Sequence, residues 1–305
     1  MAARKLVSFD WAIKKILRDK ANFAVLEGFL SELLHEDVQV VELLESESNQ
    51  EDLWDKYNRV DLKVRNTKGE ILLIEVQYET EFDFLQRIIF GTSKTVVEHM
   101  ERAAPYSKLP KVISVSILYF DLGKGNDYIY HGRTSFRGIH RGDVLELNAQ
   151  QKQLYGQDKV SDVCPEYYLI KVRQFDDAVR DGLDEWVYFF KHEEIKDKFA
   201  AKGLKEAKER LDVLKLTKEE RLAYERYCEN LHYQASMVES SYGMGKLEGK
   251  LVGMEIGLEK GKEIERKEIA TKLLELMDVQ SVAKATGMTL EEVALLEQSR
   301  SGENK

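Results

Sequence analysis

Cysteine is scarce in this chain of 305 residues, which has only Cys164 and Cys228. Their spacing matches neither a metal site nor a redox pair, so we expect no zinc, no disulfide framework and a reducing, cytoplasmic setting. Long apolar runs are also lacking. The longest, Val112–Phe120, is far shorter than the ~18 residues that a membrane span requires, so we expect no membrane partner.

Positive charge is in deficit, because 46 Lys and Arg residues stand against 55 Asp and Glu residues and give a formal net charge of −9. The overall field of such a protein repels nucleic acid. Any contact with DNA must therefore come from a local basic patch.

Proline and glycine divide the chain into four predicted parts. All prolines lie before residue 166, and glycine recurs at every fourth position from Gly245 to Gly261. We predict an α/β domain over residues 1–175, a charged helical region over 176–242, a glycine-repeat helix or tether over 243–262, and a small tail resembling a helix-turn-helix over 263–305. A tether is favoured for the repeat because each glycine costs a helix about 1 kcal/mol. A self-association helix, which would make a homo-oligomer, is the alternative.

Hydrophobic periodicity predicts an alternation of helices and strands in the first part. This order is typical of an α/β fold with a mixed sheet. The predicted helices are Phe9–Leu34 and Glu81–Arg102, and the predicted strands are Val38–Leu44, Val60–Arg65, Ile71–Gln77, Lys111–Phe120, Asp127–Ser135 and Glu166–Arg173.

The strands before and after Thr67-Lys68-Gly69 are predicted to form a hairpin. A three-residue turn ends in a left-handed residue, and Gly69 suits that position. In this register the numbers of paired residues sum to 136, so Asp61 faces Glu75. Like charges opposite each other on a sheet are unfavourable, and a cation would remove the penalty.

Lys63 and Gln77 share the face of Asp61 and Glu75, because residues two apart in a strand point the same way. Hard carboxylate oxygens suit Mg²⁺, which would favour phosphodiester hydrolysis. The alternative is an ordinary solvent-exposed polar face. A shift of register by one residue would also separate the two carboxylates.

Four segments together resemble the PD-(D/E)XK nuclease superfamily, and within it the recombination-promoting nuclease and transposase branch (Rpn-like). The similarity covers roughly the first 175 residues, and the glycine-repeat tail also resembles that branch. The segments are FDWAIKKIL at Phe9–Leu17, NRVDLKV at Asn58–Val64, ILLIEVQ at Ile71–Gln77 and FDFLQRIIF at Phe82–Phe90.

The resemblance implies a restriction-endonuclease-like αβββαβ core with a C-terminal helical appendage. In it Asp61 and Glu75 bind Mg²⁺, or Mn²⁺ or Ca²⁺, and Gln77 takes the position of the catalytic lysine. An amide can orient water but cannot carry the positive charge of a lysine. Lys63 is a candidate substitute, and the alternative is an exposed strand lysine.

The resemblance also assigns roles outside the hairpin. Asp10 matches an acidic position that approaches the metal, although a carboxylate in the first turn of a helix is also favoured by the dipole. Arg87 matches an arginine suited to a phosphate contact, with an ion pair to Asp83 as the alternative. Lys14 and Lys15 are the further residues expected to bind DNA.

The sequence therefore predicts a metal-dependent DNA endonuclease of the transposase or recombination-promoting type. The alternative is a catalytically inactive nuclease fold that serves as an interaction or regulatory module. The acidic balance and Gln77 favour this alternative.

Overall fold

The computed structural model describes residues 6–44, 61–100 and 104–302. The chain divides into two compact units, Met1–Tyr227 and Cys228–Lys305. The helices are α1 (Phe9–Lys15), α2 (Phe23–Leu34), α3 (Phe84–Glu98), α4 (Ala149–Tyr155), α5 (Val160–Val163), α6 (Gly182–His192), α7 (Leu204–Arg210), α8 (Lys218–Leu273), α9 (Val279–Thr286) and α10 (Leu290–Gly302). The strands are β1 (Val40–Leu44), β2 (Leu62–Asn66), β3 (Ile71–Gln77), β4 (Val112–Leu118), β5 (Ile129–Gly132) and β6 (Glu166–Lys171).

The six strands form one mixed sheet in the order β1-β2-β3-β4-β6-β5. Strands β1, β2 and β3 are antiparallel neighbours, β3, β4 and β6 are parallel, and β5 returns antiparallel to β6. The order helix, three strands, helix, strand confirms the predicted αβββαβ core. The long helix α8 confirms the helical appendage.

The predicted register of the β2–β3 hairpin is confirmed. Leu62 pairs with Ile74 and Arg65 pairs with Ile71, so the residue numbers of each pair sum to the predicted 136. Gly69 has a φ of +80°, the left-handed conformation that the turn requires.

Both faces of the central strands are covered, which explains their nearly unbroken apolar sequences. Every residue of β4 is buried. On one face, Phe84 and Ile88 of α3 pack against Leu118. On the other face, the Tyr119 hydroxyl after β4 donates to the backbone oxygen of Phe190 in α6.

The first predicted helix, Phe9–Leu34, is wrong as a single element. The structure breaks it into α1 and α2 with a short 3₁₀ turn at Lys20–Asn22 between them. The Asp19 carboxylate accepts a hydrogen bond from Ala21 N, and the Asn22 amide donates to Ile16 O. These side chains satisfy backbone groups outside a helix, which favours a turn over continued helix.

The second unit has its own small core where α9 and α10 pack around Ala270 of α8. Thr289 and Glu292 form a capping box at the start of α10, because Glu292 N donates to the Thr289 hydroxyl and Thr289 N donates to the Glu292 carboxylate. The glycine repeat is helical throughout rather than a tether. In the part of the chain that the structure describes, no helix is long and apolar enough to cross a membrane.

Candidate active site

Glu75 lies near the end of β3, beneath α3, and only 9% of its surface is exposed. Asp61 immediately precedes β2, and its Oδ2 accepts a hydrogen bond from Val76 N at 2.7 Å. The next residue of β3 therefore fixes the Asp61 carboxylate beside Glu75. The hairpin brings the two carboxylates close enough for the charge of Asp61 to raise the pKa of Glu75.

Arg87 of α3 balances part of the charge of Glu75. Its Nη2 lies 2.5 Å from Glu75 Oε1, and its Nε lies 2.8 Å from Glu81 Oε2. The guanidinium also lies over the Phe84 ring, 5.1 Å from the centroid. From the sequence, an ion pair between Arg87 and Asp83 was the alternative to a phosphate contact. In the structure, the acidic side chains that Arg87 contacts are those of Glu75 and Glu81.

Lys14 of α1 connects Asp61 to Asp10. Its Nζ lies 2.6 Å from Asp10 Oδ1 and 3.5 Å from Asp61 Oδ1. Arg18, one turn later, donates to the backbone oxygen of Asp61 at 2.9 Å. Asp10 is 1% exposed, so α1 presents a buried carboxylate to the site.

The pKa values of these groups are coupled. Burial, reinforced by the charge of Asp61, raises the pKa of Glu75 to about 7 even though Arg87 opposes the shift. Burial and the charge of Asp10 also raise the pKa of Asp61, against the effect of Lys14. Burial alone would lower the pKa of Lys14, but Asp61 and Asp10 raise it. Burial therefore disfavours the charged forms of Asp61 and Glu75 more than Lys14 and Arg87 stabilise them.

Gln77 occupies the last position of β3. Its amide nitrogen donates to Glu81 Oε1 at 2.9 Å, so Glu81 links Gln77 to Arg87. The Gln77 side chain is partly exposed and lies on the same face of β3 as Glu75.

Lys63 is buried, with 5% of its surface exposed, so the alternative of an exposed strand lysine is wrong. The reason is that α3 covers this face of the sheet, where Leu73 is also buried. The Lys63 ammonium lies 3.2 Å from Glu98 at the end of α3. Lys15 is exposed at the end of α1.

Residues 7–155 of the chain match the family model described as PD-(D/E)XK nuclease family transposase. This part of the chain belongs to that family. A search of the curated proteins found no match, and a search of the solved structures found none either.

The site receives a contact from beyond the residues that match the PD-(D/E)XK family model. Tyr227 of α8 donates a hydrogen bond from its hydroxyl to Asp10 Oδ2. Tyr224, one turn earlier, accepts a hydrogen bond from Ser8 N and packs edge-on against Trp11. Sequence reasoning missed both tyrosines because no local motif connects α8 to α1.

Ser116 was missed as well. It pairs with Glu75 across the parallel strands β3 and β4, is 1% exposed, and its hydroxyl has no hydrogen-bond partner among the described residues. The signal in the sequence was weak, a serine within the apolar strand β4. Its position places a buried hydroxyl beside Glu75 on the neighbouring strand.

The donor set of the PD-(D/E)XK transposase region fits a hard divalent cation. Among residues 6–44, 61–100 and 104–302, no three His, Cys, Asp or Glu side chains converge closely enough to hold an ion alone. Mg²⁺, however, needs only one or two carboxylates and takes its remaining ligands from water and phosphate. Asp61 and Glu75 provide such a pair, and the charge of Asp61 contributes to the raised pKa of Glu75, an effect that a cation beside both carboxylates would oppose.

Proposed function

We propose that the protein is a metal-dependent DNA endonuclease that hydrolyses phosphodiester bonds, with a role in transposition or recombination. The observation that supports this proposal is the pair of neighbouring carboxylates, buried Glu75 and partly buried Asp61, whose pKa values are both raised. Carboxylates with raised pKa values that lie side by side are typical of functional sites.

Asp61 and Glu75 would hold the ion, and Asp10 would support Asp61 through Lys14. Mg²⁺ is the expected ion, and Mn²⁺ or Ca²⁺ would use the same oxygen donors. When bound, it would lower the pKa of a coordinated water and neutralise charge on the phosphate.

The cationic residues would bind the DNA backbone. Arg87 and Lys14 each contact a site carboxylate now, and a bound ion would release them to contact phosphate oxygens. Lys15 extends this positive charge to the exposed surface of α1. Gln77 would orient the attacking water with its amide. Lys63, which is paired with Glu98, would contribute positive charge from beneath α3.

We expect the protein to act in the cytoplasm. Both cysteines are free, as a reducing compartment requires.

The test is cleavage of supercoiled plasmid DNA by the full chain, with Mg²⁺ or with EDTA. We expect Mg²⁺-dependent nicking that Asp61→Asn and Glu75→Gln each reduce at least a hundredfold, while circular dichroism shows a folded protein. Glu42→Gln is the matched control. Glu42 lies on β1 of the same sheet, and its half-exposed carboxylate pairs with Arg65 of β2. Cleavage that persists in both site variants would exclude the assignment.

The second candidate is a catalytically inactive interaction module. It is favoured by Gln77, whose uncharged amide donates to Glu81 at the position where the consensus of the wider PD-(D/E)XK superfamily has a lysine. This candidate predicts no heat of Mg²⁺ binding in isothermal titration calorimetry and no cleavage. Calorimetric binding that is lost in Asp61→Asn would exclude it as a metal-free module, even if cleavage is slow.

A further inference from the structure

Helix α8 carries an apolar stripe that no described residue of its unit covers. Residues 232–269 are exposed at every position. Within this range, one series of positions with alternating steps of three and four residues is apolar except at Ser240 and ends at Gly261, while other exposed apolar residues, such as Val252 and Ile256, lie on the outer side of the helix. We call this series the heptad stripe; its large members are Tyr233, Met237, Met244, Leu247, Leu251, Met254 and Leu258, each between 52% and 67% exposed.

The spacing of the heptad stripe indicates its partner. Steps of three and four give a mean period of 3.5 residues, shorter than the 3.6 residues of a straight helix. A stripe of this period stays in contact only with another helix that supercoils around it. A second copy of α8 offers the same period over the same length.

Glycine lies largely off this contact line. With Met244 and Leu251 at position a of the heptad, Gly245, Gly249 and Gly253 fall at b, f and c, on the outer side of the helix. A Cβ added at any of them would meet no other atom. Three of the five glycines of the repeat therefore lie off the contact, and Gly257 and Gly261 fall at g and d where the stripe ends. The weak helix propensity of the repeat increases the need for a packing partner.

Charged residues beside the heptad stripe distinguish a parallel from an antiparallel pair of α8 helices. Lys250 is at position g and Glu255 at position e. In a parallel pair, g of one helix faces e of the next heptad of the other, so Lys250 of each copy meets Glu255 of the other copy. An antiparallel pair brings e positions opposite e positions and so does not pair Lys250 with Glu255.

We propose that α8 forms a parallel, two-stranded coiled coil with a second copy of this chain through the heptad stripe. The homo-oligomer that was the alternative from the sequence is thereby given a surface, an orientation and a size. This inference does not depend on the nuclease activity.

Light scattering after size-exclusion chromatography of the full chain tests the surface. We expect twice the 35.3 kDa of one chain. The variant Leu247→Glu/Leu251→Glu should elute as a monomer. The variant Val252→Glu/Ile256→Glu changes exposed apolar residues on the outer side of the same helix and should remain a dimer. A monomeric wild type, a higher oligomer, or equal dissociation of both variants would overturn the proposal.

A charge exchange tests the orientation. Lys250→Glu or Glu255→Lys alone should weaken the dimer about tenfold in analytical ultracentrifugation at low salt, because each creates like-charge pairs. The double variant Lys250→Glu/Glu255→Lys should restore the wild-type dissociation constant. Failure of the double variant to restore it would overturn the parallel arrangement.

Discussion

The hydroxyl of Tyr227 donates a hydrogen bond to the carboxylate of Asp10, which lies 217 positions earlier in the chain. Asp10 is almost fully buried, and its other oxygen is paired with Lys14. Tyr227 lies outside the residues that match the nuclease family. The start of α8 therefore contributes to the environment of a carboxylate in the candidate site.

The first prediction concerns this hydrogen bond. Tyr227→Phe keeps the ring but leaves a buried carboxylate oxygen without its donor, which should lower the free energy of unfolding by about 1–3 kcal/mol. Urea unfolding followed by circular dichroism measures the loss. Tyr242→Phe, which changes an exposed tyrosine of α8 outside the heptad stripe, is the control and should change stability by less than about 0.5 kcal/mol. Equal stability of Tyr227→Phe and the wild type would contradict the prediction.

The second prediction concerns pH. The pKa of Glu75 is raised from 4.5 to about 7 in the folded protein. Between these values the folded state binds more protons than the unfolded state, so stability falls as pH rises from about 4.5 to about 7. Glu75→Gln has no such titration. In EDTA the free energy of unfolding of Glu75→Gln minus that of the wild type should therefore be larger at pH 8 than at pH 5, by at most roughly 3 kcal/mol.

Thermal unfolding at the two pH values measures this gain. Glu42→Gln, which changes an exposed carboxylate of β1, should show the same difference from wild type at pH 5 and pH 8. If Glu75→Gln also shows a pH-independent difference, Glu75 does not titrate in this range.

Local patterns were sufficient for the sheet and for the hairpin that carries Asp61 and Glu75. Strand alternation and Gly69 determine the register, because a slip of one residue would reverse every side chain. Long-range contacts could not be predicted in this way. The break after α1 depends on side chains that bond to nearby backbone, and the burial of Lys63 depends on how α3 folds over the sheet.

The third prediction concerns Gln77. In Gln77→Lys an ammonium takes the place of the amide that now donates to Glu81 Oε1. If the site cleaves DNA as proposed, the positive charge should stabilise the developing oxyanion and raise the single-turnover rate in Mg²⁺ by about tenfold or more. Gln77→Met, similar in length but unable to donate a hydrogen bond, should lower the rate. A slower Gln77→Lys variant would show that its charge does not reach the reacting phosphate.

The fourth prediction concerns Gly28, a buried glycine within α2. A Cβ at Gly28 would lie 2.3 Å from the backbone oxygen of Lys202 and 2.5 Å from Gly203 Cα. Backbone atoms cannot rotate away as a flexible side chain can. Gly28→Ala should therefore lower stability by about 1–3 kcal/mol despite the better helix propensity of alanine.

Gly91 of α3 supplies the matched control, because it is also a glycine within a helix but a Cβ there would meet no atom within 4 Å. Gly91→Ala should raise stability by up to about 1 kcal/mol, since only the propensity changes. Opposite signs for the two variants in urea unfolding would show that α2 and the start of α7 touch through their backbones. A stabilising Gly28→Ala would mean that this contact is looser than the structure shows.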